Sequence, residues 1–100
     1  MSKGAIAIYR WRVAPDAEDY FRKTWHDVTL DIRENYGGCG SCLTRAANGE
    51  FVGIALWRSK AARDAAWAKH GDPEPHRGVE MVDETWLEVE DDLWLKSSFD

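Results

Sequence analysis

No stretch of this sequence is apolar over anything near the ~20 residues that a helix needs to cross a bilayer. It also lacks any cluster of lysine and arginine, and its formal net charge is −5. A phosphate backbone would be repelled, which removes DNA and RNA as main partners. Cysteine is scarce, with two residues, and proline is limited to three. The N-terminus, "MSKGAIAIYRW", has one lysine and a short apolar stretch that runs on as a strand pattern. No signal peptide is therefore expected, and the expected location is the cytoplasm. No repeat or linker divides the 100 residues, so residues 1–100 read as one domain. A chain of this size buries a single core without disulfide or metal staples.

What is present has the balance of a soluble globular protein, 44% hydrophobic and 31% charged. "AIAIYRWRV", residues 5–13, is apolar on both alternating faces and reads as a strand covered on two sides. Pro15 stops it, and Asp16 stands where an N-cap is wanted. Phe21, Trp25, Val28, Ile32 and Tyr36 then recur at spacings of three and four, which predicts an amphipathic helix of about five turns. Gly37 supplies its C′ position.

Asn48-Gly49 predicts a type I′ hairpin turn, because both residues tolerate positive φ. It joins "CGSCLTRAA" to "EFVGIALWR", the second again apolar on both faces. Ser59 is placed to cap a second helix, "KAARDAAWAKH", whose alanines allow close approach to a sheet and which Gly71 ends. "GDPEPHRG" reads as a loop. "TWLEVEDDLWL", residues 85–95, reads as the last strand, with Leu87, Val89, Leu93 and Leu95 on one face. The order β-α-β-β-α-β predicts an α+β, ferredoxin-like sandwich: a four-stranded antiparallel sheet with two helices on one face. Two helices cover only one face of such a sheet, yet the first and third strands are apolar on both. A symmetric second copy is the simplest cover, so a homodimer is expected.

"GGCGSC", residues 37–42, holds both cysteines at C-x-x-C spacing. On a strand, residues three apart point to opposite faces, so Cys39 and Cys42 diverge. The pair follows a helix, where a redox dithiol needs the N-terminus of one. His26, His70 and His76 stand at no finger spacing, so no zinc or other metal site is expected. The acidic run Glu88, Glu90, Asp91 and Asp92 reads as the wet side of an edge strand.

"YRWRVAPDAEDYF", "GGCGSCLTR" and "FVGIALWRSKAARDAAW" in this topology resemble the antibiotic biosynthesis monooxygenase family of dimeric α+β barrels over nearly the whole chain. The resemblance implies protomers that pair sheet to sheet, each with a pocket between sheet and helices. It implies a cofactor-independent monooxygenase acting on a small aromatic phenol or dihydroquinone. A haem-degrading oxygenase and a non-catalytic barrel that binds a metabolite are the alternatives. The haem-degrading branch has an Asn on strand one, a Trp on helix two and a His after it. Trp67 and His76 fall at matching places here, but Tyr9 stands at the Asn position, which argues against haem.

Phenol oxidation asks for an aromatic slot, a base and donors for a developing oxyanion. Tyr9, Trp57 and Trp67 are the candidates for the slot, His76 for the base, and Arg10 or Arg58 for the donor. Each has a structural alternative. Trp67 can anchor an alanine-rich helix, and Tyr9 and Trp57 can be packing. His76 can be an exposed loop residue, and the arginines can be solvated strand ends. His26 reads as surface, and His70 as a cation at a helix C-terminus.

Overall fold

The computed structural model describes residues 4–94. Four strands, β1 (Ala5–Val13), β2 (Gly40–Arg45), β3 (Phe51–Trp57) and β4 (Val79–Glu88), alternate with two helices, α1 (Glu18–Asn35) and α2 (Lys60–His70). The sheet order is β2-β3-β1-β4 with every neighbouring pair antiparallel, which is the ferredoxin-like arrangement.

Local chemistry sets most element ends. Pro15 opens a 3-10 turn, Pro15–Ala17, that feeds α1; Asp16 makes no capping bond, and Ala17 takes the N-cap position. Glu18 and Asp19 then place negative charge at the helix N-terminus. The Arg45 guanidinium, 2.7 Å from Glu18, holds that carboxyl below the usual range and ties α1 to β2. At the other end, the Tyr36 and Gly38 N–H groups both donate to the Ile32 carbonyl. For α2, the Ser59 hydroxyl accepts the Ala62 N–H at 3.0 Å, and the Gly71 N–H donates to the Trp67 carbonyl at 2.8 Å.

The β2–β3 hairpin is wider than a type I′ turn. Gly49 alone has positive φ, at 90°, while Asn48 stays at negative φ and uses its side-chain oxygen to accept the Glu50 N–H. Five residues therefore separate the strands, with the Ala46 N–H closing the loop onto the Glu50 carbonyl at 2.8 Å.

The last strand differs more. It begins at Val79, directly after the Gly71–Gly78 loop, and ends at Glu88, so only residues 85–88 of the expected strand belong to it. Val89 and Leu93 lie beyond it, Leu93 88% exposed, and Leu95 is outside the described residues. Two features hide this strand in the sequence. Charges at Glu80, Asp83 and Glu84 dilute the alternation, as suits a sheet edge. A register shift opposite Arg10/Trp11 then changes its phase. Of the acidic run, only Glu88 is on a strand.

Odd-numbered residues of β1 and β3 face the helices. Ala7, Ala55 and Trp57 form one buried cluster with Ile32 of α1 and Ala66 of α2. Even-numbered residues face the other way: Ile6 and Ile8 lie beside Leu56 and Ile54 in register, and no helix among the described residues covers them. That bare face is bordered by charge pairs of both signs, Arg10 with Asp83 and Arg12 with Glu80.

Candidate functional site

Alanine at 7, 55 and 66 brings the sheet close to the helices at one end. Farther along, the space between them is not filled and leaves a cavity of about 450 Å³. Tyr9 and Trp11 of β1 and Trp57 of β3 border it from the sheet, and Phe21 and Trp25 border it from α1. Arg63 and Trp67 enter from α2, and the loop from Asp72 to His76 runs across its edge. Gly53 makes room for the Trp11 ring, since a Cβ there would come within 2.9 Å of it. Trp11 in turn meets Phe21 edge-on at 5.1 Å and stacks near Tyr9 at 5.8 Å.

Tyr9, Trp57, Trp67 and His76, named from the sequence, thus border one cavity. Arg10 and Arg58 do not. Arg10 is on the opposite face of the sheet, paired with Asp83, and Arg58 is exposed past the end of β3. The cation that borders the cavity is Arg63, the one Lys or Arg among the described lining residues. Its signal in the sequence was its position four residues before Trp67, which puts both on one face of α2.

Arg63 is held from two sides. Its Nη2 donates to Glu84 Oε1 at 3.0 Å and its Nη1 to Asp64 Oδ1 at 3.2 Å. Glu84 is steadied in turn by the Trp86 indole N–H, which donates to its other oxygen at 2.7 Å. The guanidinium carbon stands 5.8, 6.0 and 5.6 Å from the ring centroids of Tyr9, Trp67 and Trp86. Its Nε is buried and has no hydrogen-bond partner among the described residues.

Burial pushes the Tyr9 phenol above its ordinary value, while Arg63 beside it pulls the other way and does not prevail. The folded phenol therefore holds its proton more tightly than the unfolded one. That stability is full below the unfolded value of about 10 and is lost as pH rises through the folded value. Urea midpoints of the wild type are expected to fall more between about pH 9 and about pH 11 than those of Tyr9→Phe. Equal falls in the two proteins would remove the burial effect.

His76 is exposed at the cavity edge, its ring stacked on Tyr20 of α1 with centroids 3.7 Å apart. The Val79 N–H donates to the His76 carbonyl and the Ala14 N–H to that of Gly78, anchoring this end of the loop to β1 and β4. His70 lies outside the cavity, bridging α2 to Asp31 of α1 at 3.2 Å. His26 is exposed on α1. Cys39 precedes β2 and Cys42 lies on it; both are free thiols, and neither borders the cavity. Among the described residues no three His, Cys, Asp or Glu side chains converge as a metal site would require. Among the described residues no helix is long and apolar enough to cross a membrane.

No protein-family model and no curated protein matches the chain. Solved structures do. Rv0793 from Mycobacterium tuberculosis superposes with a TM-score of 0.67 at 23% identity, over 91% of this chain and 99% of that one. A proposed antibiotic biosynthesis monooxygenase from Deinococcus radiodurans gives 0.70 at 13% identity, over 92% and 98%. The haem degrader MhuD (Rv3592) from M. tuberculosis, solved with two haems in its active site, gives 0.67 at 19%, over 90% and 99%. This chain has the fold of these proteins. Such identities speak for the antibiotic biosynthesis monooxygenase fold; chemistry has to be argued from the cavity.

Proposed function

We propose that this protein binds a planar phenol or dihydroquinone in the cavity between sheet and helices and oxidises it with molecular oxygen, without a cofactor. The observation that carries this reading is the 450 Å³ space walled by Trp11, Trp25, Trp57 and Trp67 with one cation at its border. Indole faces suit a flat aromatic ring, and a few polar groups orient it. Once deprotonated, such a ring is electron-rich enough to reduce oxygen. One oxygen atom enters a ring C–H position to give a quinone and the other leaves as water, so the substrate supplies all four electrons. His76 at the edge is the base that takes the phenolic proton, and Trp67 is the wall against which the ring stacks. Oxygen uptake with a panel of dihydroquinones and naphthols tests this. One oxygen consumed per quinone formed supports it. Tight binding without uptake would leave a non-catalytic binding barrel.

Haem is the second group that the fold brings to mind, since Trp67 and His76 both border the cavity. The residues do not fit it. Two propionates need two cations, yet Arg63 is the one Lys or Arg at the cavity among the described residues, and the loop edge carries Asp72 and Glu74. Titration with haem is expected to give no sharp Soret shift saturating at one haem per chain. A shift of that kind, lost in His76→Ala, would reverse this conclusion.

A second copy of the chain is our proposal for the bare face of the sheet. The aliphatic stripe of Ile6, Ile8, Ile54 and Leu56 runs along its central strands, and the bordering charges are of both signs. A patch of that composition is self-complementary about a two-fold axis.

A further inference from the structure

We infer that the cavity selects aromatic molecules that carry a carboxylate, and that Arg63 is the residue that receives it, with Glu84 positioning Arg63. This rests on the aromatic-pocket reading above and adds the charge and orientation of the ligand. Arg63 and Trp67 are one turn apart on the same face of α2, so a ring stacked on Trp67 carries its substituent toward the guanidinium. Of the five N–H donors on that guanidinium, Glu84 and Asp64 take two, and the Nε–H is buried without an acceptor. With the Nε–H closed off, the remaining two Nη N–H groups are the donors left for a ligand oxygen.

The surrounding charges leave room for an anion. Lys60 pairs with Asp64 at 3.1 Å while Arg63 pairs with Glu84, so the two cations and two anions around this end cancel. The opposite end does not welcome one. Asp72 and Glu74 border the cavity there, on the loop past the end of α2 at His70, which lies seven residues or ~10 Å of helix beyond Arg63. The ligand's carboxylate therefore belongs at the Arg63 end. Glu84, pinned by Trp86, keeps the guanidinium from turning away.

Quenching of tryptophan fluorescence tests this with three probes of one shape: 2-naphthoate, its neutral amide, and the cationic 2-naphthylmethylammonium. The wild type is expected to bind the carboxylate about tenfold more tightly than the amide, and the ammonium least. Arg63→Met should bring carboxylate and amide to equal affinity, with amide binding retained. Glu84→Gln should reduce the carboxylate preference in part, which packing alone would not do. Equal binding of naphthoate and amide by the wild type overturns the inference whether or not Arg63→Met folds. So does a carboxylate preference that survives in a folded Arg63→Met. Failure of all three probes to quench overturns the aromatic-pocket reading as well, so the two failures are distinguishable.

Discussion

Replacing Ile8 by lysine is expected to yield a protein that scatters light as a chain of 11.4 kDa, where the wild type scatters as twice that mass. Ile8 lies at the middle of the uncovered face, opposite Ile54 on one side and Thr85 on the other. Its side chain points away from α1, α2 and the cavity, so the substitution leaves the internal core alone. A symmetric interface places the new ammonium in the apolar patch twice, once from each copy, and Asp83, the diagonal neighbour on β4, is already paired with Arg10. Burying a charge without a partner costs several kcal/mol, which weakens association by ~10³ or more. The fold should survive, because in the monomer the lysine reaches water. A wild type that is monomeric at micromolar concentration would remove the dimer altogether. A wild-type dimer that persists unchanged in Ile8→Lys would place the interface elsewhere.

Turnover of a dihydroquinone is expected to fall by ~10² in His76→Ala, while the affinity for unreactive aromatic ligands stays nearly the same. His76 sits on an exposed loop, and the hydrogen bond that Val79 donates to it uses its backbone carbonyl. Removing the ring therefore strips the base and leaves the loop anchored. Tyr20 loses its stacking partner, a small change at an exposed position. Trp67→Phe should behave in the opposite sense. A phenyl ring still fills most of the space but offers less surface, so aromatic binding weakens by about 1 kcal/mol and the rate at saturation changes little. The pair separates base from wall. Unchanged turnover in His76→Ala would reduce the imidazole to a packing partner of Tyr20. Unfolding in Trp67→Phe would make that indole a core residue.

Much of the fold was legible because its signals are local. The doubly apolar alternation of residues 5–13 and 51–57, the three-and-four spacing from Phe21 to Tyr36, Ser59 before the second helix and Gly71 after it each act over a few residues. The structure places elements at those positions. The element order then leaves few topologies, and the ferredoxin-like one is found. Where the signal was not local, the reading went astray. β4 takes its span from pairing with all of β1, from Val13↔Val79 to Ala5↔Glu88, and its own edge-strand charges conceal it. The hairpin kept its place but not its turn type, because Asn48 satisfies the Glu50 N–H with its side chain and has no need of positive φ.

The site divides in the same way. That aromatic residues at 9, 57 and 67 and a histidine at 76 were worth naming follows from residue type and element. That they border one hollow, with Arg63 there and Arg10 and Arg58 elsewhere, was decided in three dimensions. An arginine's place on a helix tells which face it shares, here with Trp67, but not what stands opposite. Glu84, twenty-one residues away and on β4, is what holds Arg63 at the cavity. A cavity is a mismatch of side-chain sizes across elements that meet only after folding, with Gly53 beneath Trp11 and alanines facing alanines nearby. Periodicity along a chain reports which residues turn inward; only the packed structure decides whether they touch or leave space.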